Sequence, residues 1–229
     1  MAIEQKNIPF VFVEGGIGCG KSTLVKKLQD YCVENNLKYI TIQEPVDEWL
    51  KIKDENDKDI LASFYENQHE HAFKFQMMAY ISRLARLQES YKKAVEDKLD
   101  FIICERSLQT DRNVFCKMLY DEGKIDTFGY QIYNKWFEHF QTFMRNIQFV
   151  YLRTDFNVCY DRIAKRQRNG ENNISKDYLE KNNKYHDDWL LNEEKNVLVL
   201  DGNVDGDVDT EVFNRHCKNI VDNLYNNNE

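Results

Sequence analysis

The chain has 229 residues, 42% hydrophobic and 31% charged, with 9 glycines and 2 prolines. That is enough for a full core, with no Pro/Gly-rich linker to divide it. The formal charge of −8 argues against a general nucleic-acid binder, which carries a basic surplus, but leaves room for a local cationic pocket. No run approaches membrane-spanning length, the N-terminus has no signal- or transit-peptide character, and the six cysteines are scattered without a CxxC pair. The expectation is a cytoplasmic protein with reduced thiols, no zinc site, no nucleic-acid partner and no membrane partner.

In chain order, 9–13 is a short apolar run closed by Glu14 and a glycine cluster, the pattern of a buried strand and a turn. Over 21–33, Leu24, Val25, Leu28, Tyr31 and Cys32 recur at threes and fours and predict a helix. Residues 38–43 predict a second strand, stopped at Glu44 and Pro45. From about 60 to 98 helical periodicity runs without proline or glycine. Residues 101–104 predict a third strand, with helices near 108–120 and 130–145 separated by Gly123 and Gly129. A strand at 148–152, a helix over 155–167, a polar loop at 169–173, a helix over 176–191, a strand at 197–200 and a helix at 207–225 complete the chain. Alternating strands and helices predict an α/β fold: a parallel sheet of about five strands with helices on both faces, one domain over 1–229. Ligands of such sheets bind beyond the carboxyl ends of the strands, where Glu14 and Gly15, Glu44, and Glu105 and Arg106 fall.

Gly15, Gly16, Ile17, Gly18, Cys19, Gly20, Lys21 and Ser22 fit the phosphate-binding pattern G-x-x-x-x-G-K-[ST], with a strand before and a helix after. Glycines let backbone N–H groups turn toward phosphate oxygens, and the helix start adds its positive end. Lys21 is a point charge for the β/γ-phosphates, and the Ser22 hydroxyl suits Mg²⁺. A GTPase would need N-K-x-D, which is absent, and the one D-x-x-G, at 126–129, lies between helices. Glu105 can hold the Mg²⁺ shell, and Arg106 can pin both a carboxylate and an acceptor oxygen. Glu44, if strands one and two are near neighbours, faces the γ-phosphate and can take the proton of an attacking hydroxyl; spacing alone leaves it equally a solvated turn residue. Arg162, Lys165 and Arg166 share a helical face, with Arg168 following. They read either as a cationic lid over about 162–174 or as a solvated basic face.

The ordered set Glu-Gly-x-Ile-x-x-Gly-Lys-Ser-Thr (ending at Thr23), Glu44-Pro45-Val46, Phe73-x-Phe75-Gln76, Glu105-Arg106-Ser107 and Arg162-x-x-x-Arg166-x-Arg168-Asn169 resembles the deoxyribonucleoside kinases of the deoxycytidine/deoxyguanosine kinase type. The resemblance implies a P-loop kinase that transfers a phosphoryl group from ATP, with Mg²⁺, to a deoxynucleoside 5′-hydroxyl. It implies Glu44 as base, Arg106 as the group orienting the hydroxyl, and Ser22 and Glu105 at the metal. It also implies Thr23 among the nucleotide-binding residues of the loop, and Arg162, Arg166 and Arg168 as the lid arginines that hold the donor phosphates and the base. Glu171 and Tyr65 would meet the sugar. Gln76 would read the base edge, with Phe75 beside it, Phe115 stacked on it, and Trp49 and Phe64 as walls. Arg83 and Asp111 match a charged pair that leaves no apolar room for the thymine methyl, so thymidine should be a poor acceptor. Family members are usually homodimers joined through long helices. Two other readings are a thymidylate-type nucleoside monophosphate kinase, which needs cations for an acceptor phosphate, and a nucleotide-dependent binding switch.

Overall fold

The computed structural model describes residues 8–140, 144, 146–166, 174–204 and 209–226. Five strands, β1 (Phe10–Glu14), β2 (Tyr39–Ile42), β3 (Phe101–Glu105), β4 (Ile147–Arg153) and β5 (Val197–Asp201), form one sheet in the order β2-β3-β1-β4-β5. Every pairing is parallel. The central strand β1 and its neighbour β3 are buried at every residue, whereas the edge strands β2 and β5 are only partly covered. Continuous apolar runs suit strands covered on both faces.

Alternation along the strands separates two cores. Phe10, Phe12, Ile102, Cys104, Phe149 and Tyr151 face one side. There they meet α4 (Gln68–Glu96) and the helical stretch of α5 (Leu108–Thr110), a π-helical turn (Asp111–Cys116) and α6 (Lys117–Asp121). Val11, Val13, Ile103, Val150 and Leu152 face the other, against α1 (Lys21–Glu34) and α10 (Thr210–Asn226). The expected parallel sheet with helices on both faces is therefore present. The remaining helices are α2 (Val46–Trp49), α3 (Ile60–Glu66), α7 (Thr127–Phe140), α8 (Phe156–Arg166) and α9 (Lys176–Asp187), the last continued by a π-helical turn, Asp188–Glu193.

Three differences from the sequence pattern have local causes. The long periodic run at 60–98 is two helices, because Asn67 leaves helical geometry at φ −140° and its side chain accepts from the Glu70 N–H at 3.4 Å, restarting the chain as α4. The helix near 130–145 begins at Thr127: Asp126 caps it by accepting from the Gly129 N–H at 2.6 Å, which gives 126–129 a structural role. The short α2 follows Pro45, which stands at its N-cap.

Candidate active site

β1 and β3 are adjacent, with Val13 opposite Glu105, so the phosphate loop and the Glu105-Arg106 pair leave the sheet side by side. Glycine at 18 is required by φ 79° and by crowding, since a Cβ there would lie 2.7 Å from the Cys159 carbonyl oxygen. The Lys21 Nζ donates to the carbonyl oxygens of Gly15 at 3.2 Å and Gly16 at 2.8 Å, which holds the ammonium inside the curl of the loop. Ser22 donates from Oγ to Glu105 Oε1 at 2.9 Å.

Glu44 arrives differently from the route the sequence suggests. Strands one and two are not neighbours; β3 lies between them. Glu44 reaches the site because β2 pairs with β3 and because two guanidinium groups hold it. Arg83 donates from Nη2 to Glu44 Oε1 at 3.0 Å, and Arg106 pairs through Nε at 3.3 Å. Burial opposes ionisation of Glu44, but Arg106, Arg83 and Lys21 outweigh it and bring the carboxyl down to about 2.

Arg83, buried on α4, is fully engaged. It grips Asp111 through Nε at 2.8 Å and Nη2 at 3.3 Å, and donates from Nη1 to the Glu105 carbonyl oxygen at 3.1 Å. Gln76, Ala79 and Arg83 recur at threes and fours on α4 and face one cleft. Arg106 sits at φ 65°, an uncommon conformation for a residue with a side chain. It is held there by a 2.9 Å bond from Nη1 to the Gly15 carbonyl oxygen and by the Phe115 ring 4.9 Å away.

Two cavities meet at the carboxyl ends of β1 and β3. One, of about 660 Å³, runs along the phosphate loop to Arg162, Lys165 and Phe213. The other, of about 470 Å³, runs from Ile17 and Glu44 to Trp49, Phe75, Gln76 and Arg83. They share Gly18, Lys21, Ser22, Glu105 and Arg166. A group carried by one pocket can therefore be handed to a group held in the other at the lysine and the Ser22–Glu105 pair.

The chain matches the deoxynucleoside kinase family over residues 11–227. The chain belongs to that family. It is 32% identical over 220 residues to the probable deoxycytidine kinase of fowlpox virus (strain NVSL), covering 94% of this chain and 86% of that one. Deoxycytidine kinase 2 of Gallus gallus is 31% identical, with 88% and 84% covered, and deoxycytidine kinase of Homo sapiens 28% identical, with 88% and 86% covered. The protein is thus a nucleoside kinase, a phosphotransferase.

Within this deoxynucleoside kinase, the expected site residues fall into groups. Ile17, Glu44, Trp49, Tyr65, Phe75, Gln76, Arg83, Arg106, Asp111 and Phe115 line the second cavity, and Gly20, Thr23 and Arg162 the first. Gly15, Gly16 and Cys19 line neither and form the back of the loop. Phe64 lies behind the wall: buried, it stacks on Phe75 at 4.7 Å, so Phe75 is the ring that meets the cavity. Arg162 donates to the carbonyl oxygens of Cys19 (3.0 Å), Gly202 (2.9 Å) and Val204 (2.8 Å), which ties the first cavity's wall together. Arg168 and Glu171 lie outside the described residues. The Gln76 Oε1 is buried with no partner among the described residues, a state that a bound base edge would relieve.

Two groups carried no motif signal of their own role. Glu14, wholly buried at the end of β1, accepts from the Thr110 hydroxyl, and burial pushes its carboxyl above the ordinary range. His186 stands behind Arg106 at 3.4 Å. No helix among the described residues is long and apolar enough to cross a membrane.

Proposed function

We propose that the kinase transfers the γ-phosphoryl group of ATP to the 5′-hydroxyl of a deoxynucleoside, deoxycytidine or a deoxypurine before thymidine, as a step of nucleotide salvage. The observation that carries this reading is the meeting of the two cavities at Lys21, Ser22 and Glu105, with Glu44 on the acceptor side only. The lining charges support the division. The donor cavity carries Lys21, Arg162, Lys165 and Arg166 against Glu105 and Asp161, a cationic balance that suits a triphosphate. The acceptor cavity carries Lys21, Arg83, Arg106 and Arg166 against Glu44, Asp47, Glu105 and Asp111, a balance that suits an uncharged nucleoside. A monophosphate acceptor would call for surplus cations there, which weighs against a thymidylate-type kinase.

In this reading Glu44 accepts the 5′-hydroxyl proton, Arg106 orients the oxygen, and Lys21, Arg166 and the lid over about 162–174 hold the phosphates. Trp49, Tyr65, Phe75 and Phe115 enclose sugar and base, and Gln76 reads the base edge. The chain acts as one kinase domain. Ser22 and Glu105 fit Mg²⁺: both offer hard oxygen donors, they are hydrogen-bonded to each other, and they border the donor cavity. Among the described residues no cluster of three or more His, Cys, Asp or Glu could hold a metal; Mg²⁺ with nucleotides uses few protein ligands, the rest being phosphate and water. Bound there, it would offset the charge of the phosphate oxygens.

The exposed apolar residues Phe128, Ile132 and Trp136, four apart on α7, support a homodimer, and the six free cysteines support a cytoplasmic location. Initial rates with each of the four deoxynucleosides at saturating ATP and Mg²⁺ test the proposal. Turnover of a nucleoside monophosphate without turnover of any nucleoside would overturn it.

A further inference from the structure

We infer that His186 is a positioning residue for Arg106: a neutral imidazole whose Nε2 accepts a hydrogen bond from the guanidinium and so decides which edge of Arg106 remains for the acceptor. The inference rests on the kinase reading above and deepens it.

His186 lies on α9, wholly buried, with Nδ1 2.7 Å from the Asn182 carbonyl oxygen. A carbonyl only accepts, so Nδ1 carries the hydrogen. A neutral ring in that tautomer presents a lone pair at Nε2, which lies 3.4 Å from Arg106 Nη1, an atom that only donates. The ring is fixed on two sides: the Tyr151 ring lies parallel at 6.2 Å and Phe115 perpendicular at 6.4 Å. The charged groups bearing on it, Arg106 and Lys21, are both cations; burial first, then these two, push the imidazole well below its ordinary 6.5. Tyr151 is the other ionisable neighbour, and burial raises its hydroxyl far above neutral pH.

The bonds of Arg106 then divide cleanly. One Nη1 hydrogen goes to the Gly15 carbonyl oxygen and the other to His186, while Nε faces Glu44. Nη2, which makes no hydrogen bond among the described residues, is the edge left for a ligand in the cavity that Arg106 lines. A ring protonated at Nε2 would set N–H against N–H and turn the guanidinium.

Two near-isosteric variants separate positioning from packing. His186→Gln places an acceptor near Nε2; His186→Asn keeps the Nδ1-like contact and loses it. The expected result is deoxynucleoside kcat/KM within about fivefold of wild type for Gln and about 10–100-fold lower for Asn, with ATP affinity unchanged in both. In an Arg106→Ala background, His186→Asn should leave deoxynucleoside Kd unaltered. Equal losses in the two variants, or an undiminished effect of Asn without Arg106, would overturn the inference. The tautomer in the wild-type protein, read by NMR of ¹⁵N-histidine-labelled chain, decides it without any variant: a neutral Nδ1–H ring from pH 7 to 5.5 is expected, and an Nε2–H ring or an imidazolium refutes it. Absence of wild-type turnover with every deoxynucleoside would sink the kinase reading alone, because the tautomer is measured without substrate.

Discussion

Glu44→Gln keeps the shape of the side chain and one acceptor oxygen but removes the charge that Arg83 and Arg106 share. Depression of the carboxyl from the ordinary 4.5 to about 2 amounts to about 3 kcal/mol in favour of the charged form. Glutamine retains part of the hydrogen bonding, and Arg83 keeps Asp111, so the expected loss of stability is about 1–3 kcal/mol. At about 2–4 °C per kcal/mol for a chain of this size, the melting midpoint should fall by about 2–12 °C at pH 7. Because the folded carboxyl is depressed, this stabilisation is present above 4.5 and disappears as pH falls from 4.5 toward 2; the variant should lack that acid-sensitive share. A positioned proton acceptor contributes about 10²–10⁴ to turnover, so kcat should fall by about 10³. Glu44 lines only the acceptor cavity, so ATP affinity, measured by calorimetry, should stay within about threefold. A variant with kcat within tenfold of wild type, or one that loses ATP affinity as strongly as turnover, would refute the assignment.

Arg83→Met alone strands Asp111 in the interior and should cost about 3–5 kcal/mol; adding Asp111→Ala should restore part of that loss in a thermal melt and raise thymidine use relative to deoxycytidine by about tenfold. An unchanged ratio would refute the methyl-exclusion argument. If the proposed homodimer forms through α7, Phe128→Glu with Trp136→Glu should leave a monomer in light scattering, with the melting midpoint of the separated chain changed by only a few degrees. A dimer that survives both charges would place the interface elsewhere.

The loop and its lysine were legible because their spacing is dictated by a ligand's shape and borne on consecutive residues between a strand and a helix. Glu105 and Arg106 were legible from the strand-end rule, since β3 pairs directly with β1. The partner of Glu44 was not. Its position depends on β3 being inserted between β1 and β2 and on Arg83 reaching across from α4, and sequence distance carries neither fact. Phe64 and Phe75 present the same chemistry to a sequence reader; only packing decides that one stacks behind the other. His186 lies 80 residues from Arg106 in sequence, in a helix whose periodicity gives it an ordinary core position. The helix break at Asn67 was hidden because its neighbours on both sides keep helical spacing, and one side-chain cap outweighs that pattern.

The arginines that fix Glu44 also weaken it for the proposed role of base. A carboxyl held at about 2 has far less proton affinity than a group poised near the working pH, where general bases are most efficient. The cost is tolerable only if little proton transfer is needed at the transition state. Phosphoryl transfer meets that condition, because its transition state is loose and bonding to the incoming oxygen is slight. In the proposed reaction Glu44 then serves by aiming the hydroxyl lone pair and collecting the proton late, a task that a weakly basic carboxylate still performs and a neutral amide, which cannot take the proton, does not. The consequence is measurable. At saturating donor and acceptor, Glu44 stays ionised through the whole working range, and kcat should show no acid limb from this residue between pH 8 and 5. If an acid limb near pH 6 appears in the wild type and vanishes in Glu44→Gln, the carboxyl titrates close to neutrality, and the two guanidinium groups do not hold it in the reacting complex as they do in the free protein.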